Sequence, residues 1–474
     1  MAAQLNECFP TISKIEYKGV ESTDPLSFRY YNASEIIAGK TMKEWCRFSI
    51  CYWHTWVSKG HDPFGTPTMT RKWDDESASM DNAKARVRAC FEFMQKLGVE
   101  YYTFHDRDVA PEGKDLAESN KNLDEIVDYL EEHQKSTGTK LLWSTQVSRY
   151  LGLPAAPFVH RRSLCSSPLP LLAHPSPLRQ NLFSHKRYMN GGSTNPDMHA
   201  FAYACSQAKK VLEVNKRLGG ENVVYWGGRE GYQTVLNTDI KREIDHLAQF
   251  FKMVVKYQEK IGDTAQLLIE PKPREPTKHQ YDYDAQTVMG FLHEYGLQDK
   301  FKVNIEPNHT TLAGHDYEHD ILVASKFGML GSIDANSGDP LLGWDTDMFP
   351  TDIKKTTLVM KIVMEQGGLK TGGLNFDCKV RRESTEDRDL FIGHIGAMDN
   401  FARGLRNAAK IIEENVIDGM VKERYATFDS ALGQKLEAGE ASLEDFEEYV
   451  HKNGEPPQKS GKQEEYEMIL NRYV

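Results

Sequence analysis

Paired cysteines are missing from this chain. Its seven cysteines, Cys8, Cys46, Cys51, Cys90, Cys165, Cys205 and Cys378, are scattered without a CxxC spacing. That pattern suits reduced thiols packed as small core residues and argues against a zinc-thiolate site. Long apolar runs are missing too: none reaches the length needed to span a bilayer. The opening stretch MAAQLNECFPTISKIEYKGV has no apolar region of the kind a secretory signal needs. An excess of positive charge is also absent. The net charge of −11 argues against a nucleic acid or an anionic membrane surface as partner. No glycine-rich dinucleotide fingerprint follows any apolar run, and no phosphate cradle or thiol nucleophile stands out. What remains is an ordinary soluble globular composition, 27% charged and 39% hydrophobic, expected in the cytoplasm.

Residues 1–44 are polar and turn-rich and read as an N-terminal extension. Beyond them, short apolar runs of β character alternate with amphipathic segments whose apolar residues recur at three and four spacing. The runs are 45–53, 101–104, 140–144, 222–225, 266–269, 301–305, 331–333 and 374–376, with helical patterns such as 240–261 and 353–365 between them. A helix is expected after Asp81, which reads as its N-cap, ending at Gly98. Eight such alternations predict a (β/α)₈ TIM barrel over 45–385, with an open doubly wound sheet as runner-up. A helical pattern over 389–421 and a polar, acidic remainder make 386–474 a C-terminal helical arm, expected to wrap a neighbouring subunit.

In a barrel the C-terminal strand ends share one mouth, so residues there meet in space. Those ends carry Trp53, His105, Trp143, Trp226, Glu270, Glu306, Asp334 and Asp377. Carboxylates at four consecutive buried strand ends need a cation, because an unpaired buried charge is costly. The stretch GSIDANSGDPLLGWDTD (331–347) adds Asp345 and Asp347, two residues apart on a Gly/Pro-rich loop. In IEPNH, His309 follows Glu306, which has two oxygens to bridge two ions. Lys272, two residues after Glu270, shares its side of an extended chain and can stabilise charge on a substrate oxygen. In FHDRD, His105 held by Asp108 can act as a base on a hydroxyl. Three of the seven tryptophans stand at this mouth, where flat indoles suit the apolar faces of a sugar ring or chain. Unaided, the residues describe two hard divalent ions handling a neutral polyhydroxy substrate.

These motifs resemble xylose isomerase of the longer class that has an N-terminal extension. The resemblance rests on FHDRD (104–108), WGGREG (226–231), LIEPKPREPTKHQYD (268–282), NIEPNH (304–309), GSIDANSGD (331–339), GWDTD (343–347) and NFD (375–377). It implies a homotetrameric barrel that interconverts D-xylose and D-xylulose, and D-glucose and D-fructose, with two divalent cations per subunit, Mg²⁺ or alternatively Mn²⁺ or Co²⁺. One ion would be held by Glu270, Glu306, Asp334 and Asp377, the other by Glu306, His309, Asp345 and Asp347. His105, oriented by Asp108, would assist ring opening, Lys272 would contact O1, and the ions would polarise O1 and O2 during a hydride shift between C1 and C2. Trp53, Trp143, Thr145, Phe183 and Trp226 would line the substrate pocket, with Phe64 reaching into a neighbouring subunit's pocket. Pro307 and Cys378 depart from the family pattern beside ligands. A barrel-type metal-dependent hydrolase or endonuclease is the enzymatic rival; one histidine ligand and a negative net charge disfavour it.

One segment breaks the family pattern. Between Gln146 and Asn181, where LLWST should run almost directly into NLFSHKRY, lie the 34 residues 147–180, VSRYLGLPAAPFVHRRSLCSSPLPLLAHPSPLRQ. They contain no Asp or Glu and six of the chain's twenty prolines, with neither helical nor strand period. The segment reads either as a Pro-rich recognition loop or as translated intron sequence. The intron reading is preferred: codons for Val147 and Gln180 can encode splice signals, and the frame is preserved. Either way it follows the third strand on the catalytic side, so the 474-residue form is expected to turn over poorly, or to be an inactive sugar-binding relative.

Overall fold

Eight parallel strands close into a barrel in the order in which they occur in the chain. They are β1 (Phe48–Cys51), β2 (Tyr101–His105), β3 (Lys140–Thr145), β4 (Asn222–Trp226), β5 (Gln266–Glu270), β6 (Phe301–Ile305), β7 (Leu330–Asp334) and β8 (Leu374–Phe376). β8 pairs with β1 to complete the ring. The computed structural model describes residues 7–145 and 185–474; the segment 147–180 and Phe183 lie outside these. Outside the barrel run α1 (Met80–Leu97), α2 (Leu116–Thr137), α3 (Met198–Arg217), α4 (Ile240–Ile261), α5 (Ala285–Glu294), α6 (Pro307–Leu312), α7 (His319–Lys326), α8 (Ile353–Glu365) and α9 (Asp387–Glu414).

Side-chain parity decides what faces the barrel axis. On β5, Leu267 and Ile269 join the core between sheet and helices, while Leu268 joins a separate cluster with Cys51, Trp53, Tyr101, Leu142, Trp143 and Val224. Alternation then turns Glu270 inward with Leu268. The same parity turns Asn304 and Glu306 inward behind outward Val303 and Ile305, and Asn375 and Asp377 inward around outward Phe376.

Two bulges keep the parity in register. Tyr102 pairs with Leu141 and Thr103 with Trp143, so Leu142 is the extra residue that lets Trp143 and Thr145 face the axis. Val303 pairs with Leu330 and Asn304 with Ser332, so Gly331 is extra on β7. A Cβ at Gly331 would lie 2.4 Å from Leu268 Cδ2, which is why glycine stands there.

Several local expectations need correction. Only 48–51 of the run 45–53 is strand: Trp45 belongs to the helix Met42–Cys46, started by a Thr41/Glu44 capping box, and Trp53 opens the π-turn Trp53–Val57. Trp143 lies inside β3, which ends at Thr145. Ser79, not Asp81, caps α1, accepting from the Asn82 N–H; Gly98 does end it, at φ 79°. The segment 389–421 is two helices, α9 and Val416–Tyr425, because Asn415 adopts a left-handed conformation (φ 53°) that its short amide tolerates.

The chain's end returns to its own barrel. Ile469, Leu470 and Tyr473 pack with Ile411 of α9, whereas Leu443, Tyr449 and Val450 stay exposed. Among the described residues, no helix is long and apolar enough to cross a membrane.

Candidate active site

The inward ends of the strands open into a pocket at the barrel mouth. Its lining includes Trp53, His105, Trp143, Thr145, Trp226, Glu270, Lys272, Glu306, His309, Asp345, Asp347 and Asp377. Asp334 lies beneath them, fully buried. Ligand-type atoms of Glu306, Asp334 and Asp377 fall within 4.8 Å of one another, as do those of Glu306, Asp345 and Asp347 and those of Glu270, Glu306 and His309. Glu306 is common to all three groups and stands where a bridging carboxylate would. Phe64 stands apart, 83% exposed, edge-on to Trp344 with ring centroids 6.4 Å apart.

Neutral amides hold this cluster from below. Asn304 Nδ2 donates to Glu270 Oε2 (3.0 Å) and Asp334 Oδ2 (2.7 Å), and Asn375 Nδ2 donates to Asp334 Oδ1 (2.7 Å). Asn336 Nδ2 donates to Glu306 Oε1 (2.6 Å) and to the Asp377 carbonyl (3.1 Å). Amides position carboxylates without cancelling their charge. Burial, and after it the neighbouring Asp334, pushes the Glu270 carboxyl well above the usual range. Burial and then Asp345 do the same to Glu306, and burial and Asp377 push Asp334 up to about 7.

Cations and imidazoles act on the other flank. Lys272 Nζ donates to Asp345 Oδ2 (2.6 Å), and Lys379 Nζ to Asp347 Oδ2 (2.7 Å). Burial alone would raise Asp345, but Lys272 and His309 outweigh it and hold that carboxyl well below its usual range. His309 Nδ1 lies 3.0 Å from the Pro271 carbonyl, so it carries the proton, and Nε2 faces Glu306 (3.2 Å) and Asp345 (3.0 Å). With Nδ1 held as the donor, Nε2 is the nitrogen that could join Glu306 and Asp345 around an ion once it carries no proton.

Across the pocket, His105 Nδ1 meets Asp108 Oδ2 at 2.5 Å, which fixes the tautomer. The Trp53 ring lies 4.1 Å from the His105 ring, and its indole N–H donates to Asp377 Oδ1 at 2.8 Å. Lys272 sits 5.0 Å over the Trp226 ring.

Sequence reasoning missed several residues here. His54 Nε2 reaches Asp347 Oδ2 (3.0 Å) and Asp377 Oδ1 (2.9 Å), and Lys379, Trp344, Glu275 and His61 also line the pocket. The three asparagines were missed as well. For Asn304 and Asn375 a signal existed: each stands two residues before a carboxylate on a strand and so shares its face. His54 lies in a π-turn that no spacing announces.

A closed parallel barrel with buried carboxylates, imidazoles and indoles gathered at the C-terminal mouth of its strands defines a TIM-barrel enzyme of small polar substrates. Known proteins narrow that class. The family described as the XylA2 C-terminal domain matches residues 421–474. A xylose isomerase of Caldicellulosiruptor bescii is 51% identical over 466 residues, covering 98% of this chain and 99% of its own length. One of Arabidopsis thaliana is 51% identical over 462 residues, covering 98% of this chain and 90% of its own. Identity at that level over nearly the whole length settles membership: the chain belongs to the xylose isomerase family. A xylose isomerase domain protein of Alicyclobacillus acidocaldarius, with TM-score 0.43 and 12% identity, covers 71% of this chain and 96% of its own and is too distant to argue from.

Proposed function

We propose that this pocket interconverts D-xylose and D-xylulose, and D-glucose and D-fructose, with two divalent cations per chain. Charge balance carries the reading. The six carboxylates of the cluster face two ammonium groups, Lys272 and Lys379, and Lys272 is shared with a further carboxylate, Glu275 (3.5 Å), so negative charge is in clear excess and calls for cations. The upward-shifted Glu270, Glu306 and Asp334 mark where that charge is uncompensated.

Glu270, Glu306, Asp334 and Asp377 would hold one ion, and Glu306, His309, Asp345 and Asp347 the other. Oxygen-rich donors with a single imidazole suit Mg²⁺, with Mn²⁺ or Co²⁺ as substitutes. Bound there, the ions supply Lewis acidity that polarises the sugar's O1 and O2 for transfer of hydrogen between C1 and C2. His105, kept in one tautomer by Asp108, would present its second nitrogen to the anomeric hydroxyl, take its proton as C1=O forms and the bond from C1 to the ring oxygen breaks, and hand a proton to that oxygen. Lys272 stabilises negative charge developing on O1, pre-oriented by Asp345. Trp53, Trp143 and Trp226 wall the pocket against the apolar faces of the sugar and exclude water, and Thr145 adds a hydroxyl. Phe64, exposed at the rim, would enter a neighbouring chain's pocket in a homotetramer, to which the exposed Leu443, Tyr449 and Val450 of the C-terminal arm would contribute, since α9 itself packs into the barrel's core.

The deciding experiment measures xylulose formed from xylose by chelator-treated protein before and after Mg²⁺ is returned. The protein lacking residues 147–180 is measured beside it: activity that returns only with the ion in either form supports the reading, and ion-independent activity, or none in either form, overturns it.

A further inference from the structure

A second group of metal-type ligands lies beyond α6. After Leu312 the chain turns through Gly314 (φ 91°), and His315, His319 and Asp320 follow at the start of α7. Ligand-type atoms of these three lie within 4.8 Å of one another. The two imidazole rings face each other, with centroids 4.3 Å apart and planes 21° from parallel. Against them packs the start of α5, whose N-cap is Asp284.

Helix capping accounts for only part of this cluster. Asp284 Oδ1 accepts from the Thr287 N–H (2.8 Å) and hydroxyl (2.7 Å), which leaves Oδ2 to meet His315 Nε2 at 3.2 Å. One oxygen of Asp320 accepts from the Ala285 N–H at 3.3 Å. Its other oxygen, Oδ1, is buried without a partner among the described residues, and so is His319 Nε2. Asp320 itself is only 3% exposed. A carboxylate oxygen and an imidazole nitrogen of neighbouring residues, both buried and unmatched among the described residues, are an expensive arrangement that an electropositive ion held by both would relieve.

We propose that His315, His319 and Asp320 form a third cation site, distinct from the barrel mouth and selective for a borderline ion of the Zn²⁺ type. His319 Nε2 and Asp320 Oδ1 are two of its ligands, and a ring nitrogen of His315 is the third. Asp284 acts behind His315: the hydrogen bond from Nε2 to a carboxylate frees the other ring nitrogen as a ligand and raises its basicity, the usual setting of a metal-bound histidine. Two imidazoles and one carboxylate prefer Zn²⁺ to Mg²⁺, whereas the mouth, where six carboxylates outnumber the two imidazoles of His54 and His309, prefers hard ions. A tetrahedral ion with bonds of about 2 Å separates its ligands by about 3.3 Å, so modest side-chain rotation closes the trio around it. The ion would tie the turn after α6, the helix that carries His309, to the start of α5.

The test uses the full chain saturated with Mg²⁺ and dialysed to equilibrium against Zn²⁺. Wild type is expected to retain one more Zn²⁺ per chain than the double variant His315→Ala/His319→Ala. Exchange at the barrel mouth is common to both chains and cancels in that difference. Zn²⁺ should also raise the melting temperature of wild type more than that of the double variant. Asp320→Asn keeps an acceptor for the Ala285 N–H, so the fold is spared, and should weaken the extra Zn²⁺ at least tenfold. Equal Zn²⁺ stoichiometry in wild type and double variant, or wild-type Zn²⁺ affinity in folded Asp320→Asn, overturns the proposal.

Discussion

Asn336→Ala tests whether the amides beneath the carboxylates set ion affinity. The substitution removes the donor 2.6 Å from Glu306 Oε1, on the one carboxylate common to all three ligand groups. A hydrogen bond to a charged acceptor is worth about 1.5–3 kcal/mol. Spread over an affinity, that is roughly 10- to 100-fold, the range that removing such supporting partners usually produces at metal sites. Alanine keeps the carbonyl that the Tyr317 hydroxyl bonds but loses the acceptor of the Asn308 N–H (3.2 Å) and the donor to the Asp377 carbonyl (3.1 Å), so the comparison is made on variant shown to be folded by circular dichroism. The assay is xylose isomerisation as a function of Mg²⁺ after chelator treatment. The Mg²⁺ needed for half-maximal rate should rise about 10- to 100-fold, with the rate at saturating Mg²⁺ changed only a few-fold. An unchanged Mg²⁺ requirement in a folded variant, or a rate loss that no amount of Mg²⁺ recovers, would refute the reasoning.

Four further outcomes are expected. Asp108→Asn replaces the charged, acceptor-only carboxylate that fixes His105 with a neutral amide that can also donate and so admits the other tautomer; kcat should fall by about 10²–10⁴ while Mg²⁺ affinity by calorimetry stays the same. His394 is buried among Phe93, Phe349 and Phe376, and burial lowers its pKa from 6.5 to about 4. Its neutral form therefore contributes stability that is complete above pH 6.5 and falls by roughly 3 kcal/mol as the pH drops towards 4; His394→Phe should flatten denaturant-measured stability over that window. Gly331→Ala forces a methyl against Leu268 and should lower stability by about 1–3 kcal/mol in urea unfolding. Deleting residues 147–180 should raise xylose turnover over the 474-residue form, and equal activity of the two would count against a foreign origin for the segment.

The barrel was legible because each of its strands is a short apolar run of fixed polarity, and the period of two survives whatever surrounds it. The errors cluster where a local device overrides that period. At Trp45 it is a capping box, at Asn415 a left-handed residue, and at Trp143 a bulge that shifts one strand by a residue. Each depends on hydrogen bonds rather than on hydropathy, so composition and spacing leave it unmarked. The carboxylates and His309 stood out because charge at a buried strand end is anomalous in itself. Asn304, Asn336 and His54 did not, because a neutral polar residue looks ordinary until its partners are known.

The sequence by itself determined that eight barrel strands alternate with helices and how much negative charge their C-terminal side brings to one rim. It could do so because alternation and charge are written residue by residue along the chain. Only the tertiary structure decided which carboxylates share an amide, that His54 stands between Asp347 and Asp377, and that His315, His319 and Asp320 close on one another outside the barrel. Those are distances between side chains brought together by the closing of a ring, and no rule of spacing along a chain contains them.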